Sequence, residues 1–226
     1  MNLFIDSYPW KIRKMDQVPD EEAMAKHGLP PSEISIGDAL KASGYRTALI
    51  GKWHLGKNEG QTPCDFGFDY QYGFYASHSL FIPENTEGYV DQKNEDDWTD
   101  QYIWEGQRDG IHAVRRHCEI IEENRYFTDA IAKESIEFMN ENDEPYFMYL
   151  PFSAPHTPLQ ASESDVNLYE EVEDPIKRTY YAMITSLDRA IGNILDEVER
   201  KGETENTLIF LLSDNGGATY LSLIHI

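Results

Sequence analysis

Three stretches of this chain repeat one plan: an amphipathic helical segment, a short apolar run, then a cluster of glycine and polar residues. That alternation constrains the fold more than any other feature. In the first unit Ser35 predicts an N-cap with Asp38 three residues on, Ile36, Ala39 and Leu40 share a face, Gly44 supplies a left-handed stop, and Ala48-Leu49-Ile50 follows. The second begins near Tyr126, places Phe127, Ile131, Ser135 and Phe138 close to helical spacing, and ends in the apolar run 146–150 with Pro151 as breaker. The third opens on Asp174-Pro175, sets Tyr180, Met183, Ile184, Leu187, Ile191, Ile194, Leu195 and Val198 on one face, stops at Gly202, and continues into the apolar run 208–212. Short apolar strands alternating with helices predict an α/β fold, a mostly parallel sheet covered by helices on both faces. In such sheets ligands bind beyond the carboxyl ends of the strands, so the three polar clusters are expected to converge on one site.

The clusters are Gly51-Lys52-Trp53-His54, Ala154-Pro155-His156-Thr157-Pro158 and Ser213-Asp214-Asn215-Gly216-Gly217. Lys52 and His54 are two residues apart and, in an extended stretch, project to the same side. A lysine and a histidine together can hold an oxyanion and move a proton; an isolated Lys-x-His is more often a surface lysine and a capped histidine, and the flanking glycines favour function. His156 sits on a backbone stiffened by prolines, which suits a preorganised catalytic group and equally a structural loop. Asp214 and Asn215 offer one charged and one neutral oxygen, fit for calcium or magnesium, against the plainer reading of an Asp-Asn-Gly turn. Two oxygens do not complete a cation site that needs about six. The chain has no G-x-S-x-G elbow, no H-E-x-x-H and no P-loop.

Composition narrows the partners. Nineteen Lys and Arg against 41 Asp and Glu leave a net charge of −22, which argues against nucleic-acid phosphates and anionic membranes. No apolar run approaches the ~18 residues of a membrane span, and the first residues lack the roughly 7 or more apolar positions of a signal peptide. Cys64 and Cys118 could pair, but two cysteines at no motif spacing are expected to be unpaired thiols. The segment 67–125, rich in acidic, glycine and aromatic residues with no long periodic face, is expected as an excursion over the upper edge of the sheet. Within it Trp98, Tyr102 and Trp104 either stack on a ligand or pack the segment onto the body, and His78 and His112 either shape substrate choice or pack. The chain shows no internal repeat and no domain linker.

The stretch from Gly44 through Lys52 and His54 to Gly56 closely resembles the second signature of the sulfatase family, and Gly67-Phe68-Asp69-Tyr70-Gln71-Tyr72-Gly73 is similar to that family's GFD-x-x-x-G. "YFMYLPFSAPHTPLQ" and "TLIFLLSDNGG" resemble its third and fourth landmarks, in order, from about Gly28 to Gly217 and with segment lengths most like the arylsulfatase B group. The resemblance implies an alkaline phosphatase/sulfatase-like fold and hydrolysis of sulfate esters, on sulfated carbohydrate, by a formylglycine beside a bound calcium. It implies that Lys52 contacts the sulfate and the aldehyde hydrate, that His54 assists expulsion of sulfate, that His156 binds the sulfate and the leaving oxygen, and that Asp214 and Asn215 are calcium ligands. Export would follow by family analogy alone.

The chain also departs from the pattern. Cys64 precedes Asp-Phe-Gly and Cys118 precedes Glu-Ile-Ile, so neither stands in the formylglycine motif C/S-x-P-S-R, and the Asp-Asp calcium pair and the lysine after Asp-Asn-Gly-Gly are missing. Tyr8-Pro9-Trp10 resembles the stretch just downstream of the nucleophile, so residues 1–220 are expected to be a partial catalytic domain. Residues 221–226, "LSLIHI", match the translation of a transposon-end adapter and are expected to be a non-native tail. Two other readings stay open: a phosphoester or phosphonate hydrolase of the same superfamily, and a non-catalytic binder of sulfated glycans.

Overall fold

Ser35 caps its helix as the sequence predicts, its hydroxyl accepting from Asp38 N while the Asp38 carboxylate accepts from Ser35 N at 2.9 Å. A computed structural model describes residues 28–94, 100–141 and 143–216; Tyr8-Pro9-Trp10, Trp98, Gly217 and the 221–226 tail lie outside them. The capped helix is α1 (Ile36–Ala42). Its expected apolar face is not the buried one: Ile36 and Ala39 are exposed and Gly37 is buried, because the helix meets the body through the bare backbone of Gly37 against Phe66 and Phe68. Gly44, at φ +89°, ends it and turns the chain into β1 (Arg46–Lys52).

β1 belongs to a five-stranded sheet and has a parallel neighbour on each side. It pairs in parallel with β2 (Tyr70–Phe74) on one side and β6 (Tyr146–Tyr149) on the other, with Ala48 opposite both Tyr70 and Met148. Beyond β2 lie the short antiparallel strands β4 (Arg115–Arg116) and β5 (Glu119–Ile120), so the order is β5-β4-β2-β1-β6 and the sheet is mixed. The segment 67–125 therefore is not an excursion: it supplies three of the five strands. Its alternation is hidden because three of the five residues in Tyr70-Gln71-Tyr72-Gly73-Phe74 are aromatic and the other two, a polar residue and a glycine, are also buried.

Successive residues of β1 feed opposite cores. Ala48 and Ile50 pack with Tyr72, Phe74, Phe127 and Ile131 beneath α3 (Phe127–Asn140) and α5 (Pro175–Arg200). Leu49 faces the other way, toward Trp53, Phe66 and Phe68. Both faces of the sheet are thus covered, and each fully buried Leu or Ile contributes about 1.5–3 kcal/mol. On α5, capped by Asp174, the buried line runs through Thr179, Met183, Ser186, Ala190 and Ile194 while Ile184 and Leu195 stay 40% and 42% exposed. Small residues let α5 lie close to α3, rotating the contact away from the larger apolar side chains.

Two further sequence expectations fail. The run 208–212 forms no strand: its side chains are 53 to 85% exposed, and a strand meant for burial on both faces needs covering layers that none of the described elements provides. Cys64 and Cys118 are not free thiols but a disulfide, with Cα atoms 6.4 Å apart across 54 residues. The pairing follows from β4 lying beside β2, which carries the 117–118 turn over the 3-10 turn Pro63–Asp65; no sequence spacing encodes that proximity.

Buried charge closes the outer side of the sheet. Glu134 of α3 is almost wholly buried and accepts from Arg125 Nη2 at 2.6 Å, from Arg116 and from Tyr70. Burial pushes its carboxyl up, but these three donors pull it below its ordinary value. The chain carries further elements: β3 (Tyr89–Gln92) pairs antiparallel with β7 (Leu159–Ser162), α2 (Asp100–Gly106) packs Trp104 inward, and α4 (Glu163–Val166) leads toward α5. Among the described residues no helix is long and apolar enough to cross a membrane.

Candidate active site

Three strand ends meet where β1 leaves the sheet. Gly51 and Gly73 face each other in register at φ +144° and +137°. A Cβ on Gly73 would stand 1.8 Å from Gly51 O, and one on Gly51 would stand 2.3 Å from Pro151 O, so only glycine fits at either position. Pro151 O accepts from Lys52 N at 2.9 Å, Phe74 O from Trp53 N at 2.9 Å and Tyr75 O from His54 N at 3.1 Å. β1, β2 and the turn after β6 are thereby locked together at their carboxyl ends.

Trp53 is the anchor. Its indole Nε1 donates to Gln61 O at 2.8 Å and its ring packs on Phe66 and Phe68. With Trp53 fixed in one core, Lys52 and His54 are directed to the opposite face. His54 holds φ +53°, a left-handed conformation that costs a non-glycine residue about 1 kcal/mol or more and persists because its neighbours are fixed.

The electrostatics place these groups in one field. Burial, then the Lys52 ammonium, then His156 push the His54 imidazole down to about 4, so it is neutral at pH 7. Burial lowers Lys52 while the Asp214 carboxylate opposes the fall. His156 stands between the cis prolyl bonds Ala154-Pro155 and Thr157-Pro158. Its Nδ1 lies 2.8 Å from Thr157 O, and a carbonyl can only accept, so Nδ1 carries a proton. Lys52 thus interacts electrostatically with both His54 and Asp214, and His54 with His156.

A further group joins them. Burial first, then His112, His156, Lys52 and His54 push His78 down to about 3. It follows β2 as His54 follows β1, and it is one of the two histidines that the sequence left open between shaping substrate choice and packing. Tyr102 is exposed on α2, Trp104 is buried against Leu80 and Ile103, and the pair does not form a stacking platform.

Asp214 and Asn215 are exposed, with Asn215 O accepting from Ser213 Oγ at 2.6 Å. Among the described residues no group of three or more His, Cys, Asp or Glu side chains is arranged to hold a metal. A carboxylate and an amide oxygen suit a hard cation, yet two donors do not hold one. The described residues therefore do not complete a calcium site. No formylglycine motif occurs in the chain, and both cysteines are consumed in the disulfide.

The β-sheet flanked by helices, with polar groups at the carboxyl ends of its parallel strands, superposes on solved sulfatases of the alkaline phosphatase-like fold. The sequence model of the family described as Sulfatase matches residues 11–223, and the chain belongs to that family. An arylsulfatase of Hemicentrotus pulcherrimus is 28% identical over 193 residues, covering 84% of this chain and 33% of that protein. The N-acetylgalactosamine-6-sulfatase of Mus musculus is 28% identical over 199 residues, covering 84% and 34%. Among solved structures, Ps i-CgsB in complex with k-i-k-neocarrahexaose superposes with a TM-score of 0.66 at 25% identity, covering 79% of this chain and 39% of that one. The chain spans about a third of the length of the curated relatives it matches.

Proposed function

We propose that these residues form the sulfate-holding and proton-handling part of a sulfuric ester hydrolase that acts on sulfated carbohydrate. One observation carries the reading: Lys52 and His54, half-buried at the end of β1, and His156, exposed on the loop after β6, share one electrostatic field at the carboxyl edge of the sheet. The Lys52 ammonium faces the anionic ester oxygens, where a fixed cation in a partly desolvated site favours the developing charge of the transition state. His54, neutral at pH 7, takes up a proton as anionic charge gathers beside it. His156, with Nδ1–H held by Thr157 O, donates from Nε2 to the leaving oxygen when its ring is protonated. Asp214 and Asn215 are assigned as two oxygen donors toward a calcium whose other donors are not among the described residues. A formylglycine would supply the attacking oxygen; the 226 residues include no side chain to form it, and no step is derived through it. The carbohydrate assignment is supported by relatives named for N-acetylgalactosamine sulfate and by a neighbour solved with a neocarrahexaose.

The test is calorimetric. Inorganic sulfate should bind the 226-residue chain, and Lys52→Ala and His156→Ala should each weaken it by about tenfold, the loss of one charge-assisted hydrogen bond. Inorganic phosphate bound more tightly than sulfate would move the assignment to phosphoesters. The same chain should hydrolyse aryl sulfate no faster than its His156→Ala variant, and robust turnover would refute the absence of a nucleophile.

A further inference from the structure

Nε2 of His78 is buried and has no hydrogen-bond partner among the described residues. The ring is nonetheless held firmly. Its Nδ1 lies 2.9 Å from Ser77 Oγ, its face stacks on His112 at 4.5 Å between centroids, and its own carbonyl accepts from His112 Nδ1 at 2.8 Å. Ser79 Oγ in turn donates to His112 O at 2.7 Å, so the platform under the ring is itself tied down. A buried ring nitrogen without a partner is costly to maintain, and a rigid one beside a ligand site is an unfilled contact. His78 also lies in the field of Lys52, His54 and His156.

We infer that His78 is a specificity residue of this site, its Nε2 hydrogen-bonding a hydroxyl of the sulfated sugar that flanks the ester. The inference rests on the sulfate-site reading above. A hydroxyl is favoured over a sulfate oxygen by its chemistry. The Ser77 hydroxyl can either donate to Nδ1 or accept from it, leaving Nε2 a donor or an acceptor, and a sugar hydroxyl satisfies both where a sulfate oxygen satisfies only the first. The neutral state of the ring at pH 7 agrees, since it adds no charge for an anion to meet. A site built to bond a hydroxyl rejects ligands that lack it.

The experiment compares three ligands by calorimetry: inorganic sulfate, para-nitrophenyl sulfate, and galactose carrying its sulfate at position 4 or 6. His78→Phe keeps a flat ring on His112 and removes both nitrogens; His78→Gln restores a polar atom near Nε2. The expected result is a loss of about five- to tenfold for at least one galactose sulfate in His78→Phe, partial rescue in His78→Gln, and changes under about twofold for the two ligands without a sugar hydroxyl. An equal loss for all ligands, or none for any, overturns the inference while His156-dependent sulfate binding keeps the site reading intact. Failure of the unaltered chain to bind inorganic sulfate overturns the site reading and the inference with it. Matching melting curves for His78→Phe and the unaltered chain separate ligand contact from folding.

Discussion

At the scale of single residues the site is a set of groups kept from their preferred protonation. The unfolded His54 takes up its proton near pH 6.5, whereas the folded chain resists until about 4. Between those values the unfolded state binds more protons, so the contribution is fully present above pH 6.5 and is lost as pH falls to about 4. His78 acts in the same direction. Urea denaturation at pH 7, 5.5 and 4.5 should show falling stability, and a His54→Gln, His78→Gln double variant should show a shallower decline; parallel slopes would assign the loss to other groups. Lys52, His54 and His156 were legible in the sequence because their spacing and flanking glycines and prolines are local facts. The unpartnered nitrogen of His78 was not, since it depends on His112 approaching from 34 residues away.

At the scale of elements, capping and period carried most of the information. Ser35, Asp174, Gly44 and Gly202 stand where the sequence places the ends of helices, and the helices at 127–140 and 175–200 and the strands at 46–52 and 146–149 follow from them. β2, β4 and β5 escaped because aromatic residues, glycine and arginine obscure a period of two, and because pairing decides such strands more than propensity does. The run 208–212 shows the converse: an ideal strand composition that stays exposed without a covering layer. Glu134 is the test at this scale. Its bonds join α3 to Tyr70 of β2, Arg116 of β4 and Arg125, so Glu134→Ala should cost about 2 to 3 kcal/mol in chemical denaturation. The figure is below that of a sealed ion pair because both arginines reach solvent. A change within experimental error would show that the arginines find water at no cost.

For the molecule as a whole, the disulfide joins the loop after His54 to the turn between β4 and β5 and closes a loop of 54 residues. The chain-entropy estimate for such a loop is roughly 4 kcal/mol, so reduction, or a Cys64→Ser, Cys118→Ser double variant, should lower the melting temperature strongly. Unchanged melting would place the tether outside the cooperative unit. The bridge also accounts for the one clear error about composition, since whether two thiols meet is settled by the sheet order rather than by their spacing. The close approach of Gly51, Gly73 and Pro151 reaches further than this chain. Any protein built on this frame that bears a side chain at either glycine must part its strands and hold its lysine and its histidine loop at another spacing. The two glycines therefore act as a gauge, legible in a gene, of whether a distant homologue keeps the same distances across its site.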